Sequence, residues 1–281
     1  NHKLLTDEFE KEEGSSKFIK LFVKFGATAK KNIIQTLLCL ISNVSNVVVN
    51  YNAISKISPF LLFNNLSCRL NSLKLLNTIC DMKYYDSENS FNIIIRNVLA
   101  NIFPKAKIEV IIESLDLLLK LVKFSDLNLS LLSTEGVIKL TSMINHSNLD
   151  VSMKSLKIIE ELLKLTVPQK NVVKSVLACI SDVAKNQNND QIKEILIIIA
   201  YLLKSKVTFV KIQSKDNIGI IDCFKQFLSS SDNEIVVNSL KLCFSFIFNS
   251  VPQFIDLHDN YYDLLAKDDR TISTLAASCL T

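Results

Sequence analysis

One tripeptide, Ser-Leu-Lys, returns at Ser72, Ser155 and Ser239, at sequence intervals of 83 and 84. Its three contexts are alike: RLNSLKLLNTIC, SMKSLKIIEELL and VVNSLKLCFSFIF. In each, apolar residues step by three and four, the spacing of one helix face and of no strand face. Halfway between the copies, the same slot is taken by Ser114 in IIESLDLLLKLV and by Ile195 in EILIIIAYLL. Thr36 in IIQTLLCLISNV precedes the series and Thr274 in TISTLAASCL follows it. Successive slots are separated by 36, 42, 41, 40, 44 and 35. A period near 40 built of helices marks a chain of stacked units, each burying its apolar face only against its neighbours. Val167-Pro168-Gln169 and Val251-Pro252-Gln253 add a second register mark. Each Pro stands thirteen positions after its anchor Ser, where a helix must already have ended.

The fullest unit is EGVIKLTSMINHSNLDVSMKSLKIIEELL, Glu135 to Leu163. A short apolar-periodic run starts at Gly136, the turn His146-Ser147-Asn148 follows, and a longer helix carries Val151, Ser155, Leu156, Ile159, Leu162 and Leu163. Gly136 stands nineteen positions before Ser155, and Gly219 in NIGIIDCFKQFL stands twenty before Ser239. This unit resembles an armadillo repeat, in which Gly-(apolar)-Ile opens a short helix and a small residue follows nineteen positions later. The Gly recurs in two of seven units, Ala53 takes its slot in the second, and the small residue is Ser where the family prefers Ala. The resemblance implies an all-α fold, a right-handed α-solenoid of about seven armadillo-like repeats.

Composition agrees. Four Gly and four Pro in 281 residues are too few for an all-β chain, which needs a turn roughly every 8 to 12 residues. The longest apolar run, Ile195 to Leu203, is interrupted by Tyr201. It reads as a buried helix and is far short of the roughly 18 residues of a membrane span. Residues 1–16, NHKLLTDEFEKEEGSS, read as an acidic polar lead-in, either disordered or holding a first partial helix from Leu4 to Lys11, and residues 17–281 as a single solenoid within a longer chain. Within it, units two and three place helices at 53–63, 67–80, 91–102 and 107–123. Unit five places them at 169–185 and 191–204, a short linking helix at 207–213, and unit six at 219–248. The seven Cys form no Cys-x-x-Cys pair. Cys68, Cys223 and Cys243 occupy slots that other units fill with apolar residues, which suits small buried hydrophobes in a reducing compartment. The expected location is therefore cytoplasmic, with the nucleus as alternative. A net charge of +4 is weak for a nucleic-acid binder, which carries a strong basic stripe.

Catalytic chemistry finds no constellation. His2, His146 and His258 never pair at i, i+4, and no His-Glu-x-x-His exists. The four Gly stand singly, so neither a phosphate loop nor a nucleophile elbow is possible. Glu160-Glu161 and Asp268-Asp269 are adjacent, so on a helix each pair points about 100° apart and cannot share a substrate. The expectation is a chain that is not an enzyme, with no catalytic residues, no metal site, no cofactor and no small-molecule substrate.

The resemblance also implies a site. In armadillo proteins the third helix of each unit lines a concave groove, through the positions two and six places after the small anchor. Here the first row is Leu38, Lys74, Asp116, Lys157, Ile197, Lys241 and Ala276, and the second is Ser42, Thr78, Lys120, Glu161, Tyr201, Ser245 and Leu280. Importin-α-like proteins carry Trp and Asn there to clamp basic peptides. Neither residue occurs in these rows, so that cargo is disfavoured. β-catenin-like proteins hold acidic segments on groove lysines, and Lys74, Lys120, Lys157 and Lys241 resemble that pattern. Asp116 with Lys120 and Lys157 with Glu161 are spaced to pair within a helix, which leaves Lys74 and Lys241 without an internal partner. Ile197 and Tyr201 form an apolar spot suited to anchoring a partner side chain. The implied function is a non-catalytic scaffold that binds an extended protein or peptide segment in the groove, an acidic one by the lysine pattern. The alternatives are a GTPase-binding or autoinhibitory region like that of diaphanous formins, and the regulatory arm of a larger enzyme such as a kinase.

Overall fold

The computed structural model describes residue 32 and residues 57–81, 88–123, 134–165, 170–183, 188–213 and 218–281. The anchors and groove slots expected at Thr36, Leu38 and Ser42, and the lead-in over 1–16, lie outside the described residues. Every described element is helical. None of the described helices is long and apolar enough to cross a membrane. The chain divides into two compact units, Asn1–Leu131 and Leu132–Thr281.

In the first unit a 3₁₀ turn, Ser58–Leu62, leads into α1 (Leu66–Asp81), α2 (Glu88–Leu99) and α3 (Ile108–Val122). α1 packs along α3. The repeat appears directly as hydrogen bonds between residues about one period apart. Asn101 Nδ2 donates to the Leu61 carbonyl at 3.0 Å across 40 residues. Asn97 Nδ2 donates to Ser58 Oγ at 2.8 Å across 39, and Asn77 Nδ2 to the Glu113 carbonyl at 3.0 Å across 36.

The second unit holds α4 (Thr134–Ile144), α5 (Leu149–Leu165), α6 (Lys170–Val183), α7 (Asn189–Leu202), α8 (Lys206–Gln213) and α9 (Ile218–Leu228). α10 (Asn233–Phe248), a 3₁₀ turn at Pro252–Leu257, α11 (His258–Leu265) and α12 (Arg270–Leu280) complete it. The helices stack in two columns. α4, α6 and α9 form one; α5, α7, α10 and α12 form the other. That second column holds the anchor helices. Gln191 Nε2 ties α7 to α5 through Ser152 Oγ, 2.6 Å away and 39 residues back.

Local sequence explains the starts. Four helices of the second column open on a capping side chain that accepts from the orphan amides of the first turn. Asn148 accepts from Val151 N at 3.2 Å, Asn188 from Asp190 N at 3.0 Å, Asp232 from Glu234 N at 3.0 Å, and Asp269 from Thr271 N at 2.9 Å. Asn65 does the same for α1 through Cys68 N at 3.0 Å. The family's Gly slot falls in the first turn of α4 and α9, and no described Gly has positive φ.

The anchor serines are fully buried: Ser72, Ser114, Ser155 and Ser239 are all 0% exposed. Three satisfy their hydroxyls on the carbonyl four residues back, Ser72 on Cys68 and Ser155 on Val151 at 2.8 Å, and Ser239 on Ile235 at 2.7 Å. A helix neighbour fills the space a longer side chain would need. Ser155→Leu is expected to lower stability by about 1–3 kcal/mol through overpacking; denaturant unfolding measures it. Ser114 differs, because its buried Oγ has no hydrogen-bond partner. Such a group costs desolvation without return. Ser114→Ala is therefore expected to raise the melting temperature, whereas Ser239→Ala, which deletes a made bond, is not.

The last repeat corrects one expectation. Thr274 is the anchor expected from the sequence, but it is exposed, while Ala276, expected on the groove face, is 0% exposed. The register of α12 is shifted by two, and the buried small residue there is the Ala that armadillo units prefer.

Candidate partner-binding face

The two rows read from the sequence divide between the two compact units. In the first unit Lys74 is exposed, and Thr78, Asp116 and Lys120 are half-buried. In the second unit Lys157, Ile197 and Lys241 are exposed, and Glu161, Tyr201 and Ser245 are half-buried. Helical geometry brings the two members from each helix onto one face, because residues four apart are surface neighbours.

The charge pairing differs from the sequence expectation. Lys157 does not pair with Glu161. Its Nζ lies 3.7 Å from Glu194 Oε2 on α7, whereas Glu161 pairs with Lys164 at 2.8 Å. The cause is the buried carboxylate pair beneath. Glu160 and Glu194 are 7% and 6% exposed, and buried charge draws any cation within reach. Lys164 Nζ completes the group at 2.7 Å from Glu160 Oε1. Burial pushes the Glu194 carboxyl up to about 7, helped by its hydrogen bond to Glu160 and that group's charge. Burial also acts to raise Glu160, but the hydrogen bonds from Glu194 and Lys164 outweigh it, and its carboxyl is lowered. The two therefore share one proton near neutrality, with Glu194 as donor. Lys164 is raised above its ordinary value by Glu160 and Glu161.

In the first unit Lys120 Nζ donates to the Asn77 carbonyl at 3.1 Å, 43 residues away, so it serves as a tie between helices. Lys74 and Lys241 differ: among the described residues neither forms an ion pair or side-chain hydrogen bond. Both stand two positions after a buried Ser, on α1 and α10.

Ile197 and Tyr201 separate. Ile197 lines a hollow of about 160 Å³ between α7 and α10, with Leu196, Ala200, Asn238, Lys241 and Leu242. Tyr201 is outside that lining, and Lys204 Nζ sits over its ring, 4.4 Å from the centroid, an arrangement that satisfies both groups.

Two further residues on α10 escape the two-row reading. Phe244 and Phe248 are 43% and 78% exposed, and their rings stack with centroids 6.4 Å apart. Phe246 between them is fully buried against Phe254, at 4.2 Å between centroids. Phe at 244, 246 and 248 carries the signal. Residues two apart on a helix point to opposite sides, so burying the middle one exposes the other two.

No family model matches the sequence, and no curated protein matches it. Solved structures do match in fold. One is UNC-45 from Drosophila melanogaster, with TM-score 0.69 and 13% identity, covering 98% of this chain and 37% of that one. Another is an engineered protein, with TM-score 0.65 and 13% identity, covering 98% and 69%. A third is a computationally designed armadillo repeat protein for modular peptide recognition, with TM-score 0.60 and 11% identity, covering 79% and 95%. The fold is an armadillo-type α-solenoid. Lys241, the hollow and the Phe244–Phe248 pair all lie on its anchor helices.

Proposed function

We propose that this chain is a non-catalytic protein-interaction scaffold that holds an extended, acidic segment of a partner protein on its third-helix face. The observation that carries the reading is Lys241: an exposed ammonium with no ion pair among the described residues, at the rim of an apolar hollow. Lys74 repeats the first half of that arrangement on α1. An ammonium held on a rigid helix with no internal counter-charge favours a partner carboxylate and disfavours a basic segment. The likeness to a designed peptide-recognition solenoid supports the same mode. Cys68, Cys223 and Cys243 are buried among apolar residues, which suits work in the reducing cytoplasm.

The test uses the whole 281-residue chain and two labelled peptides of equal length, one of Glu and Ser, one of Lys and Ser. Fluorescence anisotropy should show the acidic peptide bound at low salt and released as salt rises, because exposed charges are screened beyond about 10 Å at 0.1 M. Preference for the basic peptide overturns the reading.

A further inference from the structure

We infer that the hollow between α7 and α10 is a side-chain pocket for one bulky apolar residue of the partner segment, with Lys241 taking a carboxylate next to it. The inference rests on the acidic-segment reading and specifies where that segment is gripped and by what sequence.

Four of the six lining residues are apolar: Leu196, Ile197, Ala200 and Leu242. Ile197 and Ala200 face solvent, so the hollow is open to an incoming side chain. Its size of about 160 Å³ is that of an apolar cavity that holds benzene, about 150 Å³. One aromatic or large aliphatic side chain fills it. The two polar lining groups, Lys241 and Asn238, have no hydrogen-bond or ion-pair partner among the described residues. The ammonium selects a carboxylate, and the Asn238 amide can donate to and accept from a peptide backbone. One and two turns beyond Lys241, Phe244 and Phe248 extend the apolar surface with two stacked, exposed rings. Exposed apolar clusters of this kind, rimmed by polar groups, mark interaction sites. The chemistry is therefore an aromatic or large aliphatic residue flanked by Glu or Asp. A uniformly charged segment would leave the hollow unfilled.

The experiment compares two peptides on the full chain by anisotropy titration: Ac-EEEFEEE-NH2 and Ac-EEEAEEE-NH2, each labelled at one end. The Phe peptide should bind at least tenfold more tightly, since burying a Phe side chain contributes about 1.5–3 kcal/mol. Ala200→Phe, which fills the hollow from an exposed helix position, should bring the two peptides to the same affinity. Far-ultraviolet dichroism confirms that the variant stays helical. Equal affinity of the wild type for both peptides overturns the pocket and leaves the acidic reading standing. A preference for Phe that persists in Ala200→Phe also overturns it, since the side chain then sits elsewhere. Tight Phe-peptide binding indifferent to salt and to Lys241→Glu keeps the hollow but removes the carboxylate contact. Concentration-dependent dimerisation of the wild type that Ala200→Phe abolishes assigns the hollow to a second copy of this chain and overturns the partner assignment.

Discussion

Glu194→Gln is expected to stabilise the protein above neutral pH by up to about 3 kcal/mol, at about 1.4 kcal/mol for each tenfold change in proton affinity, and by much less at pH 5. The folded chain holds the Glu194 proton up to about pH 7, whereas the unfolded chain releases it near 4.5. A carboxyl raised in the folded state contributes stability that is complete below the unfolded value and is lost as pH rises through the folded one. Glu160 runs the other way. Its lowered carboxyl contributes above 4.5, and that contribution fades as acid protonates it. The pair is thus most favourable near pH 4.5, and the Glu194 contribution is lost progressively between there and about pH 7. Gln at 194 supplies a permanent donor to Glu160, so the loss that builds up between about pH 4.5 and 7 disappears. Urea unfolding of both proteins at pH 5, 6, 7 and 8 measures the difference. A gap between them that does not grow with pH would remove the shared proton from the account.

The periodic architecture is legible because it is written redundantly. A buried small residue, an apolar helix face and an Asn or Asp cap recur together on α1, α5, α10 and α12, so errors at one mark are corrected by another. Where the marks thin, the reading slips. TISTLAASCL offers Ser273, Thr274, Ala276 and Ala277 as candidate small anchors, and only packing against α10 selects Ala276. The charge pairs slip for a different reason. Within a helix, Lys157 and Glu161 are spaced to pair, and a one-dimensional reading sees nothing else. Stacking the next repeat alongside brings up Glu194, whose burial makes it the more demanding partner. The same stacking makes the hollow: Ile197 and Lys241 belong to successive repeats and share one lining. Tyr201, by contrast, finds its cation one helical turn away in Lys204. The exposed Phe244 and Phe248 need no tertiary information, only the step of two around Phe246.

Lys241→Glu should weaken an acidic peptide such as Ac-EEEFEEE-NH2 by roughly 10- to 100-fold, the scale of turning a good charge contact into like-charge repulsion. The magnitude follows from three features of the site. Lys241 is exposed, so the substitution costs little in folding. It has no internal partner among the described residues, so no ion pair has to break before the peptide is engaged. It borders an apolar hollow, where low local polarity strengthens charge interactions relative to open water. Lys157→Glu, in contrast, places a third carboxylate beside Glu160 and Glu194, so its effect on binding would be mixed with an effect on stability. Lys74→Glu, measured alone, reports whether the first unit also engages the peptide; a further loss in the double variant Lys74→Glu/Lys241→Glu counts it in. The proton on Glu194 adds a signature. As pH rises past about 7, a second negative charge appears beneath Lys157, and acidic-peptide affinity should fall between pH 6 and 8. Glu194→Gln should remove that fall without touching the Lys241 effect. Titrations of wild type and these variants at two salt concentrations and two pH values separate the contributions, and undiminished affinity in Lys241→Glu would move the partner off this face of the solenoid.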